Sequence, residues 1–234
     1  MISMMAFSFR YYLRSYRYIA PILIYALSLY FIYSVVPNPV MPSYSLTSSL
    51  LFLISVWLGF GFIDVEDETQ QVISVLHLGN VTKYYLSKIY ILLLITSVMS
   101  VITTCYPIIF DKFNKQPTIS EGLIALVSHI ALSLLGITIS FLFTHKLIAK
   151  LSYAIIGLFL VVAVTMAGAG IENSLPTDYR LFARIIPPLS PIMDTLNNFE
   201  TTTSSEIALA LFSPLLYSSI LLWMFLKLMT KRLF

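Results

Sequence analysis

Six stretches of this chain contain no Asp, Glu, Lys or Arg and are each long enough to cross a lipid bilayer. They run approximately Ile19–Val36, Ser45–Ile63, Ile89–Phe110, Gly122–Phe143, Leu151–Ile171 and Ile207–Leu226. A spanning helix needs about 20 apolar residues. The edges are abrupt: Asp64 ends the second stretch, Lys88 and Asp111 bracket the third, Glu121 precedes the fourth, and Glu206 and Lys227 bracket the sixth. The 14 basic and 11 acidic residues all fall outside the six. A charge at mid-bilayer costs at least ~2.5–3.5 kcal/mol, so this partition is what a membrane imposes on a sequence. Composition excludes the alternative. Only 11% of residues are charged, against roughly 25% in soluble domains, too few to cover a soluble surface. The apolar runs are about twice the length of a barrel strand and lack its alternation. Helices, which satisfy their own backbone inside lipid, are therefore expected. The expected fold class is an all-α membrane protein with six transmembrane helices, forming a single transmembrane domain over residues 1–234.

Basic residues orient the spans. With the N-terminus inside, the cytoplasmic set is Arg10, Arg14, Arg17, Lys83, Lys88, Lys146, Lys150, Lys227, Lys231 and Arg232, and the outer set is Lys112, Lys115, Arg180 and Arg184. The excess inside predicts that both termini are cytoplasmic. The N-terminal arginines and first apolar run imitate a secretory signal, but no small-x-small site follows within Val36 to Pro42, so a retained first span is expected. Within residues 1–18, Arg10, Arg14 and Arg17 share one helical face, with Phe7, Phe9, Tyr12, Leu13 and Tyr16 around the rest. This predicts an interfacial amphipathic helix. The single cysteine, Cys105, excludes an internal disulfide and is expected to pack as a small apolar residue.

Residues 64–87 are the most structured polar region. Asp64, Glu66, Asp67 and Glu68 open the segment, and Gly79-Asn80 breaks it, which are helix start and stop signals. Val65, Thr69, Val72 and Leu76 share one face of the intervening helix, and Val81–Lys88 forms a second short helical pattern. Four carboxylates within five residues are anomalous on the side of a membrane where Lys and Arg dominate. A helix too acidic for anionic headgroups, yet with apolar residues to bury, predicts docking onto a soluble partner.

The longest outer segment, residues 172–206, carries a strongly apolar stretch from Leu181 to Leu196, too short to span and broken by Pro187, Pro188 and Pro191 around Ser190. It predicts two short helices that dip into the outer leaflet and return. His129, inside the fourth span, is expected to hydrogen-bond a neighbouring helix. Ala167-Gly168-Ala169-Gly170 permits close helix approach, Pro214 can kink the last span, and Thr96, Ser97, Ser100, Thr103 and Thr104 form a polar stripe on the third.

The chain has no phosphate-binding G-x-x-x-x-G-K-[ST] loop, no nucleophile elbow, no metal-ligand spacing and no carboxylate within a span. It reads as a path through a membrane without an engine, and not as an enzyme. In this arrangement the chain resembles the permease subunit of ABC-2 type exporters. Six spans, the N-terminal amphipathic helix, Asp64-x-Glu66-Asp67-Glu68, the later Tyr84-Tyr85-Leu86-Ser87-Lys88 and the outer Pro187-Pro188-x-Ser190-Pro191 carry the resemblance. Size and composition are similar to Gram-positive peptide, bacteriocin and toxin exporters.

The resemblance implies a bacterial cytoplasmic membrane, a second permease subunit, identical or homologous, and two copies of a cytoplasmic ABC ATPase. The ATPase would hold ATP and Mg, with no cofactor in this chain and no nucleic acid among its partners. It implies that residues 64–87 are a coupling segment in which Asp64, Glu66, Asp67, Glu68, Gln71, Val72 and Leu76 face the ATPase. It further implies a substrate path between spans one and five, for which Tyr25, Tyr33 and Gly157 are the candidates, and a re-entrant hairpin at Pro187, Pro188, Ser190 and Pro191. The cargo would be hydrophobic or amphipathic: a peptide, toxin, antimicrobial or lipid. The competing readings are a substrate-binding membrane component of an uptake system and a non-transporting immunity or assembly protein.

Overall fold

Helices account for all the regular structure among the residues described by the computed structural model, 2–176 and 185–232. They are α1 (Ile2–Ser15), α2 (Ile19–Ile32), α3 (Val40–Ile63), α4 (Glu68–Leu78), α5 (Val81–Ile109), α6 (Ile119–Phe141), α7 (Leu151–Met166), α8 (Gly168–Ser174), α9 (Ser190–Asn197) and α10 (Ser204–Arg232). Among them, α3, α5, α6 and α10 are each long and apolar enough to cross a membrane. Two bent pairs reach that length jointly, α1 with α2 at 77° and α7 with α8 at 62°. The number of candidate spans is therefore four to six.

The boundaries shift from the sequence expectation for physical reasons. The first apolar stretch stops being helical at Ile32, and its 14 residues cover only ~21 Å at 1.5 Å per residue, short of a ~30 Å hydrocarbon core. The fifth breaks at Ala167, and the adjacent Gly168 lets Ile186 and Ser190, the first residue of α9, approach closely. Conversely, the short pattern Val81–Lys88 does not stand alone: it is the first two turns of α5, so Lys88 lies inside a continuous helix. Tyr16, in a left-handed conformation (φ 57°), ends α1 and turns the chain into α2.

The core is built on α3 and α6, which pack along most of their length. Small residues allow this. A Cβ at Gly59 would run into Ser140, and one at Gly136 would lie 2.7 Å from the Phe52 carbonyl, the close backbone approach that small residues give helices in lipid. Buried hydroxyls on both helices turn back onto carbonyls of their own turn, as in Ser55 to Leu51 (2.7 Å) and Ser128 to Ile124 (2.8 Å). His129, fully buried on α6, lies 2.7 Å from the Ala125 carbonyl through Nδ1 and 3.0 Å from the Thr47 hydroxyl of α3 through Nε2. The α5 stripe is buried at Thr96, Ser100, Thr103 and Thr104. Cys105 is not packed inside but exposed on the opposite side of α5, because the hydroxyls take the inward positions.

In the segment expected on the outer side, Leu189 just before α9 and Ile192 and Leu196 within it are seated with no more than 1% exposure. The Ser45 hydroxyl reaches the Met193 carbonyl at 3.3 Å. Pro187 and Pro188 precede α9, Ser190 opens it and Pro191 occupies its first turn, where a missing N–H costs no helical bond. The rest of the expected hairpin, residues 177–184 with Arg180 and Arg184, lies outside the described residues.

Candidate functional site

The α4 end of the bundle gathers the seven coupling-segment residues singled out from sequence, half of the candidate site residues. Local chemistry sets α4. The Asp67 carboxylate accepts the Gln70 N–H (2.8 Å) at its start. Gly79, with φ 64°, closes it by donating its N–H to the Val75 and Leu76 carbonyls, a conformation that glycine adopts without a Cβ penalty. Asn80 then caps α5 through Lys83 N–H (3.0 Å). The two helices thus meet at a corner of two residues.

The four carboxylates do not act alike. Asp64 accepts the Thr144 hydroxyl on one oxygen and the His145 N–H on the other, both at 2.6 Å, and so pins the connection between α6 and α7. Glu66 turns inward and is 2% exposed. Its Oε1 lies 3.4 Å from Lys88 Nζ and accepts from the Ser8 hydroxyl of α1 at 3.4 Å. Its Oε2 accepts the Tyr84 hydroxyl at 2.9 Å. Lys88, fully buried, also donates to the Ile63 carbonyl at 2.8 Å and stands near the rings of Tyr84 and Phe62. Ile63 is the last residue of α3, where helix carbonyls lack internal partners and the helix dipole favours a cation. The ion pair therefore ties α1, the end of α3, the start of α4 and α5 into one unit. Gln71 is also buried, its amide donating to the Glu66 carbonyl at 2.9 Å.

The seven residues expected to face a partner divide into two sets. Asp64, Glu66 and Gln71 are consumed by the chain's own contacts. Asp67, Glu68, Val72 and Leu76 are exposed. Of the apolar face read from sequence, Val72 and Leu76 are outward: α4 lies on the bundle through Gln71, Ser74 and Val75, leaving Val72, Ile73 and Leu76 at 42%, 55% and 63% exposure. Glu68 approaches His145 at 3.7 Å. Two grooves flank α4. One, of about 480 Å³, includes Phe60, Glu68, Phe143 and Leu151 in its lining. The other, also about 480 Å³, lies between α1 and α4 and includes Phe7, Ile73 and His77.

The three path candidates lie elsewhere. Tyr25, 3% exposed, bonds the Thr103 hydroxyl of α5 at 2.6 Å. Tyr33, fully buried, packs on Tyr106 and Phe113. Both are internal fastenings and not an exposed lining. Gly157 accommodates the Phe143 ring, since a Cβ there would lie 2.8 Å from it. The exposed faces of those helices carry Leu23, Leu27 and Phe31 on α2, and Ile156, Phe159 and Leu160 on α7. Sequence reasoning missed Ser8, Tyr84 and Lys88 as site residues. The available signal was Tyr84 and Lys88, four apart on one face at the head of an apolar run, downstream of a carboxylate cluster.

Among the described residues, no three His, Cys, Asp or Glu side chains come together as metal ligands. No family model, no curated protein and no solved structure matches the chain.

Proposed function

We propose that the chain is the permease subunit of an ATP-driven ABC exporter, in the cytoplasmic membrane of a bacterium, with both termini and α4 on the cytoplasmic side. The observation that carries this reading is α4 itself. It is a short helix with an outward apolar face, Val72, Ile73 and Leu76, beside Asp67 and Glu68. Through Glu66 and Lys88 it is fastened to α1, α3 and α5. Such a helix is built to receive a soluble partner and to pass its movement to the spans. The partner is an ABC ATPase in two copies, holding ATP and Mg. A second permease subunit would cover the outward apolar faces of α2 and α7. The cargo is hydrophobic or amphipathic, a peptide, toxin, antimicrobial or lipid, in keeping with those apolar faces.

The test is co-purification and export with Glu68→Lys and Leu76→Asp introduced together. Both positions are exposed, so folding is expected to survive, as a thermal melt will check. The ATPase is expected to be lost and export to stop. A folded variant that keeps its ATPase and exports at the wild-type rate would remove the basis for the proposal.

A further inference from the structure

The N-terminal helix α1 has three distinct faces. Each residue of a helix turns by about 100°. Met4, Ser8 and Tyr12 occupy one face, are buried and pack toward α5. Tyr12 also stacks on Phe62 at 4.5 Å between ring centroids. Next around the helix come Phe9, Ile2 and Leu13, all exposed. Beyond them, on the third face, stand Arg10 and Arg14, also exposed.

Among the described residues, neither of these guanidinium groups takes part in an ion pair. Arg17 differs, because it is drawn toward the Gly61 and Asp64 carbonyls at 3.4 and 3.5 Å. The helix also meets α2 at 77°, so it runs across the direction of that apolar helix and not along it. An apolar flank beside a basic strip, on a helix lying across the apolar α2, matches the boundary between acyl chains and headgroups.

From this arrangement we infer that the Arg10–Arg14 strip and its Ile2, Phe9 and Leu13 flank form a binding surface for anionic phospholipid headgroups. The flank enters the acyl region, while the two guanidinium groups sit at the depth of the phosphates and bond their oxygens. An acidic protein surface would complement the arginines but would leave the flank uncovered. The surface is rigid before lipid arrives, because the opposite face of α1 is held by Tyr12 on Phe62 and by Ser8 on Glu66. Little conformational freedom is then lost on binding. The inference needs no ATPase and stands apart from the transport proposal.

The test uses the full chain in mild detergent, offered equimolar phosphatidylglycerol and phosphatidylcholine, with retained lipid counted by native mass spectrometry. The wild type is expected to retain phosphatidylglycerol preferentially. Each basic residue near an anionic surface contributes about fivefold, so Arg10→Gln with Arg14→Gln is expected to cut the preference by roughly twenty-five-fold. Arg10→Lys with Arg14→Lys is expected to keep most of it. Should the double glutamine variant not fold, the single variants each give the fivefold step. Equal retention of the two lipids by the wild type overturns the inference. So does a folded double glutamine variant with unchanged preference, the outcome expected if the strip serves an acidic protein.

Discussion

Two of the buried polar sites in this molecule are built on opposite terms. The Glu66–Lys88 site places formal charges inside, drawn from α1, the end of α3, the approach to α4, and α5. The Thr47–His129 site uses only α3 and α6 and closes without charge. There, Nδ1 faces the Ala125 carbonyl and Nε2 the Thr47 hydroxyl, an arrangement that a neutral ring with its proton on Nδ1 satisfies. The difference follows helix ends. Lys88 reaches the terminal carbonyl of α3, a group with a free lone pair and a favourable dipole. His129 lies mid-helix, away from any helix end, and the carbonyl it reaches is that of Ala125 within its own helix. Charge is buried where a helix stops, and neutral hydrogen bonds serve where it continues.

Breaking the charged site gives the largest effect. Lys88→Met leaves Glu66 buried opposite no cation and is expected to cost about 3–5 kcal/mol, seen as a lowered thermal midpoint in detergent. Adding Glu66→Leu is expected to restore most of it, and failure to do so would mean that the pair is not what holds these segments. The neutral site is expected to be cheaper to break. His129→Leu deprives the Ala125 carbonyl of an extra donor, while Thr47 can still turn to the Ser43 carbonyl (3.1 Å). A loss of about 1–2 kcal/mol is expected from the same melt. If His129→Leu proves worse than Lys88→Met, the contrast drawn above is reversed.

Smaller effects sharpen the boundary between the charged site and what it carries. Asp67→Ala removes only the N-cap of α4 and is expected to cost about 1 kcal/mol. Amide exchange should quicken in α4 and stay unchanged in α3. The smallest effect concerns α9, at the other end of the bundle, where burial and then nearby Glu172 push the Asp194 carboxyl above its ordinary range. The fold then favours the protonated form. Stability falls as pH rises from the ordinary carboxyl range through the raised pKa, and levels off above it. Asp194→Asn is expected to flatten that slope in melts at successive pH values.

Much of the helical architecture was legible in the sequence because bilayer and backbone physics act locally. Charge-free runs marked where helices lie, and Asp67, Gly79 and Asn80 marked the ends of α4 and the start of α5 through side-chain and conformational preferences. The candidate site was legible only in part. Whether Glu66 or Glu68 turns inward depends on Lys88, more than twenty residues away, and on Ser8, which no periodicity connects to either. The outward set of Val72, Ile73 and Leu76 shares one helix with the buried Gln71, Ser74 and Val75, and which set turns inward is decided by packing against α5, which no periodicity within α4 shows. The break at Ala167 was equally hidden, and it lies where Ile186 and Ser190, distant in sequence, come close to Gly168.

The order of residues in the Glu66–Lys88 site also bears on how the chain is made. Glu66, Tyr84, Ser8 and the Ile63 carbonyl all precede Lys88, so the ribosome has delivered every partner before the ammonium group emerges. At about 5–20 residues per second, Glu66 waits only a few seconds for its cation. The lysine itself enters the hydrocarbon boundary with its counter-charge already present.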